Sequence, residues 1–227
     1  MGVDLVDFTT GDALASFTVL ITVIFTATVI HELGHGITAR RFGLPVLSYE
    51  FGTGPLLRQF TVRGVPVLIR LFPMRAAVNL LGERRAHVIA PGQKSIRSAP
   101  MAEVLAAVRA GSVWQGAVSL AVLLASDGVA IVVGRHSPIH IPAVMFATFW
   151  TVSLALAVHN LAPWWAGLDG YIIRQLKRTQ VHPFVEDMEP TIRAQTVTRA
   201  VAFSVIFAGF VMLNLSLVFW LTRPSVQ

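Results

Sequence analysis

TATVIHELGHGITARRFG, residues Thr26 to Gly43, places two histidines and a glutamate at the end of an apolar run. From Ala13 to Ile30 the chain carries no charged side chain, and its helical pattern continues through His31 and His35 to about Arg41, where Gly43 and Pro45 stop it. Roughly 29 helical residues at about 1.5 Å each reach about 43 Å, enough to cross a bilayer core and project beyond it. Three ionisable groups within five residues at that depth need an explanation, because each charge inside lipid costs on the order of 3 kcal/mol.

The rest of the chain has the composition of a membrane protein. It is 227 residues long, 54% hydrophobic and only 13% charged, with a mean hydropathy of +0.66; a soluble domain usually carries about 25% charged residues. There is no cysteine, which excludes disulfides, thiolate metal sites and cysteine nucleophiles and leaves His, Asp and Glu to hold any metal. After the span at 13–41, further apolar runs at 104–133, 141–161 and 200–221 predict about four transmembrane helices. Between the first two, the alternating VPVLIRLFP around Arg63-Gly64 predicts a membrane-associated β-hairpin within residues 46–80. The expected fold is mainly α, a single integral-membrane domain over residues 1–227, with Pro91 to Ser98 as its clearest linker.

Of the 18 Lys and Arg residues, all but Arg135 and Arg223 fall from the end of the first span to the start of the second, or between the third and fourth. The positive-inside bias therefore puts both termini outside and the two long connections in the cytoplasm, with His31 and His35 in the cytoplasmic third of the first span. The net charge of +6 fits loops beside anionic lipid; without aromatics interleaved in a basic patch, nucleic-acid binding is not expected.

Residues four apart on a helix differ by about 40° in direction, so His31 and His35 can turn two imidazoles towards one metal ion. Glu32 lies one step round the helix, close enough to take a proton without being a ligand. HELGH is the HExxH pattern of zinc hydrolases, in which zinc acidifies a water and the glutamate is the general base. Depth selects the third ligand: Asp127 belongs to the outer end of its span, whereas Asp169 follows the span that returns to the cytoplasmic side. His159 is an alternative ligand. His87, His136, His140 and His182 read as loop residues, Trp164 and Trp165 as interfacial anchors, and Asn214 as a helix-to-helix hydrogen-bonding residue.

HELGH followed much later by NLAPWWAGLDG, Asn160 to Gly170, resembles the site-2 protease family of intramembrane zinc metalloproteases (M50-like), which pairs HExxH with an Asn-x-x-Pro segment leading into Leu-Asp-Gly. Tyr49 to Leu80 is similar to the family's short strands beside the active site, including a Phe-Gly-x-Gly-Pro opening at Phe51 to Pro55. WWAG stands where the family commonly has a proline-containing turn, and Arg109-Ala110-Gly111 stands where it has Ala-Gly-Pro. The resemblance implies Zn2+ held by His31, His35 and Asp169, Glu32 as general base, and Asn160 binding the substrate backbone; by itself, Asn160 reads equally well as a helix C-cap. It implies hydrolysis of peptide bonds in or near transmembrane segments of membrane-tethered regulatory proteins, in a bacterial cell membrane, with the bilayer and a regulatory membrane protein as further partners. Residues 81–100 leave no room for the PDZ domain of many relatives, and no C-terminal regulatory domain is expected after residue 221. The competing reading is a catalytically inactive membrane binding or scaffold protein on the same fold, with structural zinc or none.

Overall fold

The computed structural model describes residues 10–133, 140–163 and 168–195, with 197, 198, 201 and 205. The order of elements is α1 (Thr10–Arg41), β1 (Val46–Val62), β2 (Val65–Leu80), α2 (Met101–Val133), α3 (His140–Asn160), α4 (Asp169–Thr179) and α5 (Val185–Ala194). Within α1, Thr22 and Thr28 return their hydroxyls to the carbonyls of Thr18 and Ile24, both at 2.8 Å, so the apolar helix keeps no stray donor there. Arg40 and Arg41 occupy its last turn, the negative end of the helix dipole. Leu44 N–H to Ala39 C=O at 2.9 Å and Gly43 N–H to Arg40 C=O at 3.0 Å then close the helix.

Strands β1 and β2 form one antiparallel two-stranded sheet. Its turn is Arg63-Gly64 with φ of 49° and 80°, the doubly positive pair that a two-residue hairpin requires. The strands are long enough to fold across each other. Gly52 and Gly54, at φ 97° and 82°, make the bend, and a Cβ on Gly52 would lie 2.8 Å from the carbonyl oxygens of Arg70 and Phe72. As a result Tyr49, Glu50 and Phe51 each have two partners, Val78, Ala77 and Ala76 on one side and Val67, Leu68 and Ile69 on the other.

Two of the described helices are long and apolar enough to cross a membrane, α1 over Thr18–Arg41 and α2 with its 33 residues. The third expected span coincides with α3, and the fourth, 200–221, lies outside the described residues apart from two isolated positions. The buried residues of α2 include Val104, Val108, Gly111, Ser112, Gln115 and Ser119, one stripe at helical spacing whose small members let neighbouring elements approach closely. Across that contact Ser119 and Ser153 share a 2.6 Å hydrogen bond.

The apolar core sits where these elements meet: Ala39 near the end of α1 and Leu44 just after it, Tyr49 and Val78 of the sheet, Val104 and Val108 of α2, and Leu176 of α4. Pro91 to Ser98, expected as a linker, is part of this packing instead. Ser95 and Ile96 are buried, and Ile96 N–H donates to Leu81 C=O at 3.0 Å while Arg97 Nε donates to Gly82 C=O at 2.8 Å. The buried Ile96 side chain and these two hydrogen bonds together anchor the stretch.

Candidate metal centre

His31 and His35 project from one side of α1, and α4 brings Asp169 to them as its first residue. The Nε2 atoms of the two histidines lie 3.0 Å apart. His31 Nε2 is 3.5 Å from Asp169 Oδ2, and His35 Nε2 is 3.4 Å from Asp169 Oδ1. These three side chains can hold a metal ion, offering ligand atoms that all lie within 4.8 Å of one another. Tetrahedral zinc with ligands at about 2.0–2.1 Å separates them by about 3.3 Å, so the donor set and its spacing fit zinc. His35 Nε2 turns towards the cluster because Nδ1–H of the same ring donates to Ala107 C=O at 2.8 Å, fixing that ring from behind.

Gly111 makes room for the rings: a Cβ there would collide with both His35 and His31. Gly170 serves the loop in the same way, since its Cβ would strike the Leu161 carbonyl. Asp169 is buried at 7% exposure and accepts a hydrogen bond from Ser112.

Glu32 stands beside the cluster and accepts a 2.9 Å hydrogen bond from Val78 N–H through Oε2. The β2 edge therefore orients this carboxylate. A cavity of about 470 Å³ joins these groups, and Asn160, Gln115, Glu83 and His182 also line it. Asp127 and His159 are not in the metal-ligand group, although His159 is buried. Trp164, Trp165, His136 and Asn214 lie outside the described residues.

Residues 19–133 match the model of Peptidase family M50. The chain belongs to peptidase family M50. That is the site-2 protease family, whose members are membrane-embedded zinc metalloproteases, and the two apolar helices and the His-His-Asp cluster agree with it. Among curated relatives, a "Putative zinc metalloprotease" of Xylella fastidiosa (strain Temecula1 / ATCC 700964) is 37% identical over 79 residues, 34% of this chain. The match takes in 18% of that protein, so the chain spans less than a fifth of the relative's length.

Four polar residues of this M50 centre escaped the sequence reading. Ser112 and Gln115 sit in an apolar helix, where their spacing is that of packing residues. Glu83 and His182 come from loops, where a single titratable residue carries no spacing signal. Leu80 N–H donates to Glu83 at 2.8 Å. Burial above all pushes the Glu83 carboxyl up to about 7, against the opposing pull of that hydrogen bond. Burial likewise lowers His182 to about 4, more than its 2.8 Å bond to the Pro183 carbonyl can offset, with Arg97 lowering it further.

Proposed function

We propose that the chain is an intramembrane zinc endopeptidase of the site-2 type, acting on peptide bonds in or near transmembrane segments of membrane-tethered proteins. The observation that carries this reading is the meeting of His31, His35 and Asp169 at 3.0–3.5 Å with Glu32 held beside them. When bound, zinc supplies a more acidic water and a Lewis acid for the scissile carbonyl.

Glu32 takes the water proton and returns it to the leaving amine. Its Oε2 stays anchored on Val78 N–H, so the carboxylate needs little reorganisation between these two duties. Asn160 ends α3 on the wall of the same cavity and donates its amide to the substrate backbone. The burial of the ligands excludes bulk water, which strengthens each of these polar contacts.

A substrate helix has to unwind before its carbonyl can enter. The hairpin stretch Val65 to Pro73 is not free to receive the unwound segment, because Val67, Leu68 and Ile69 already have strand partners on both sides. The acceptor is instead Ala76 to Leu80, with β1 on one side and the cavity lined by Ala76, Val78 and Leu80 on the other. In this reading the chain is one multi-pass domain with the site near the cytoplasmic face and both termini outside.

The test is Glu32→Gln in purified, zinc-loaded protein with a membrane-embedded substrate. Zinc content and fold should persist while cleavage falls by about 10²–10⁴, the usual contribution of a general base. Cleavage at the wild-type rate would overturn the protease reading in favour of a membrane binding protein.

A further inference from the structure

One face of α2 attends the metal ligands in turn. Ala107 C=O receives His35 Nδ1–H at 2.8 Å, Gly111 clears space for both rings, and Ser112 Oγ donates to Asp169 at 2.7 Å. Ala107, Gly111 and Gln115 are spaced by four, so Gln115 continues the same stripe one turn further along.

His31 is the ligand left over. Its Nε2 faces His35 and Asp169, while its Nδ1 is buried with no hydrogen-bond partner. Gln115 mirrors this: it is 2% exposed, its Oε1 is likewise buried and unpartnered, and its side chain lies beside the His31 ring. The other end of the Gln115 amide is fixed. Nε2 donates to Ser153 C=O at 3.0 Å, which assigns the remaining atom, Oε1, as an acceptor in need of a donor. A neutral His31 protonated on Nδ1 is that donor, and the pairing satisfies two buried atoms that are otherwise left without a hydrogen bond.

We propose that Gln115 is the positioning residue of His31: Oε1 accepts the Nδ1–H, fixing the tautomer and ring orientation that present the Nε2 lone pair to the metal. The inference rests on the reading of His31 as a metal ligand. Every ligand then has its second partner on α2, and the contact between α2 and α3 through Ser153 becomes part of how the site holds zinc. A ligand histidine whose other nitrogen lacks an acceptor is free to change tautomer or tilt, and loss of such a partner typically costs about 10–100-fold in metal affinity.

The experiment measures zinc affinity of the full chain by chelator competition in wild type, Gln115→Met, Gln115→Glu and His31→Ala. Gln115→Met should bind zinc about 10–100-fold more weakly, and Gln115→Glu, which keeps an acceptor but loses the donor to Ser153, should recover most of that loss. Equal losses in Met and Glu would overturn the proposal and reduce Gln115 to a clamp between helices. Wild-type affinity in Gln115→Met would also overturn it, while leaving the metal site intact provided His31→Ala still loses zinc. Wild-type zinc binding in His31→Ala would instead sink the underlying metal reading, and the proposal with it. A measurement that needs no altered Gln115 is the 15N spectrum of the His31 ring in zinc-loaded wild type. It should show a proton on Nδ1 and the metal on Nε2; the reverse pattern would overturn the proposal.

Discussion

Ser112 Oγ donates a 2.7 Å hydrogen bond to Oδ2 of Asp169 across 57 residues of sequence, with both side chains buried. The same Oδ2 faces His31 at 3.5 Å, and Oδ1 faces His35 at 3.4 Å. Ser112 thus fixes the rotation of the carboxylate. His31→Ala, His35→Ala and Asp169→Ala should each abolish near-stoichiometric zinc, whereas Asp127→Ala should leave it unchanged, as read by metal analysis of purified protein. Ser112→Ala should retain zinc with affinity lowered by about tenfold. Full zinc in Asp169→Ala would assign the third position to another residue, His159 first.

Gly111 is a steric requirement of the site. Its Cα faces the two imidazoles so closely that an added methyl would overlap both rings, and α2 cannot retreat because its next turns are held to α3 through Gln115 and Ser119. Gly111→Ala should therefore lose zinc affinity by at least about tenfold even though alanine favours the helix. Gly116→Ala is the control, since its Cβ would meet only Ala157 Cβ at an ordinary 3.7 Å. Equal zinc affinity in the two variants would refute the packing argument.

The cavity-facing edge of β2 can be tested with proline. Backbone N–H groups alternate in direction along a strand, and Val78 N–H points to Glu32, so Ala76 N–H shares that side while Ala77 N–H points to β1. Ala76→Pro should keep zinc and fold but slow cleavage of a membrane substrate, because proline is tolerated on an open edge yet offers no donor to an added strand. Ala77→Pro should destabilise the sheet itself. Unchanged cleavage in Ala76→Pro would exclude strand addition at this edge.

Two groups at the cavity respond to acid in opposite directions. His182, held down to about 4 by burial, stays neutral in the fold, so stability is lost as pH falls from about 6.5 towards 4, because the unfolded chain binds the proton more readily. Glu83, pushed up to about 7 by burial, binds its proton more readily in the fold. Its contribution is present below about 4.5 and is lost as pH rises through 7. The two slopes oppose each other between about pH 4.5 and 6.5. Relative to wild type, Glu83→Gln should gain stability progressively from pH 5 to 7.5, and His182→Gln should gain on acidification from pH 6.5 to 4.5, both followed by thermal unfolding in detergent. The reverse sign in either variant would contradict the burial of that group.

Topology gives the last prediction. Reporter fusions after Gly134 and after Gln180 should report opposite faces of the membrane, the second cytoplasmic, as the distribution of Lys and Arg requires. The same face for both would remove the reason for placing the site towards the cytoplasm.

What the sequence determined by itself is local. Two histidines four apart share a helix face whatever surrounds them, and an Arg63-Gly64 pair between alternating residues makes a two-residue turn because its backbone angles permit little else. The end of α1 followed from Gly43 and Pro45, and the extent of α3 followed within a residue from its apolar run. The order of apolar runs along the chain favoured Asp169 over Asp127 as the residue to join the histidines, and Asp169 does lie with them. Tertiary structure alone decided what depends on rotation and close approach. It showed which side of α2 faces the ligands, so that a serine and a glutamine resembling packing residues stand behind the metal centre. It also showed that β2 lends one edge to the cavity while its other half is enclosed, and that Ile96 ties an apparent linker into the core. Those contacts join residues tens of positions apart, and the angle at which two helices or strands meet is set by the summed fit of many side chains, which no local pattern along the chain encodes.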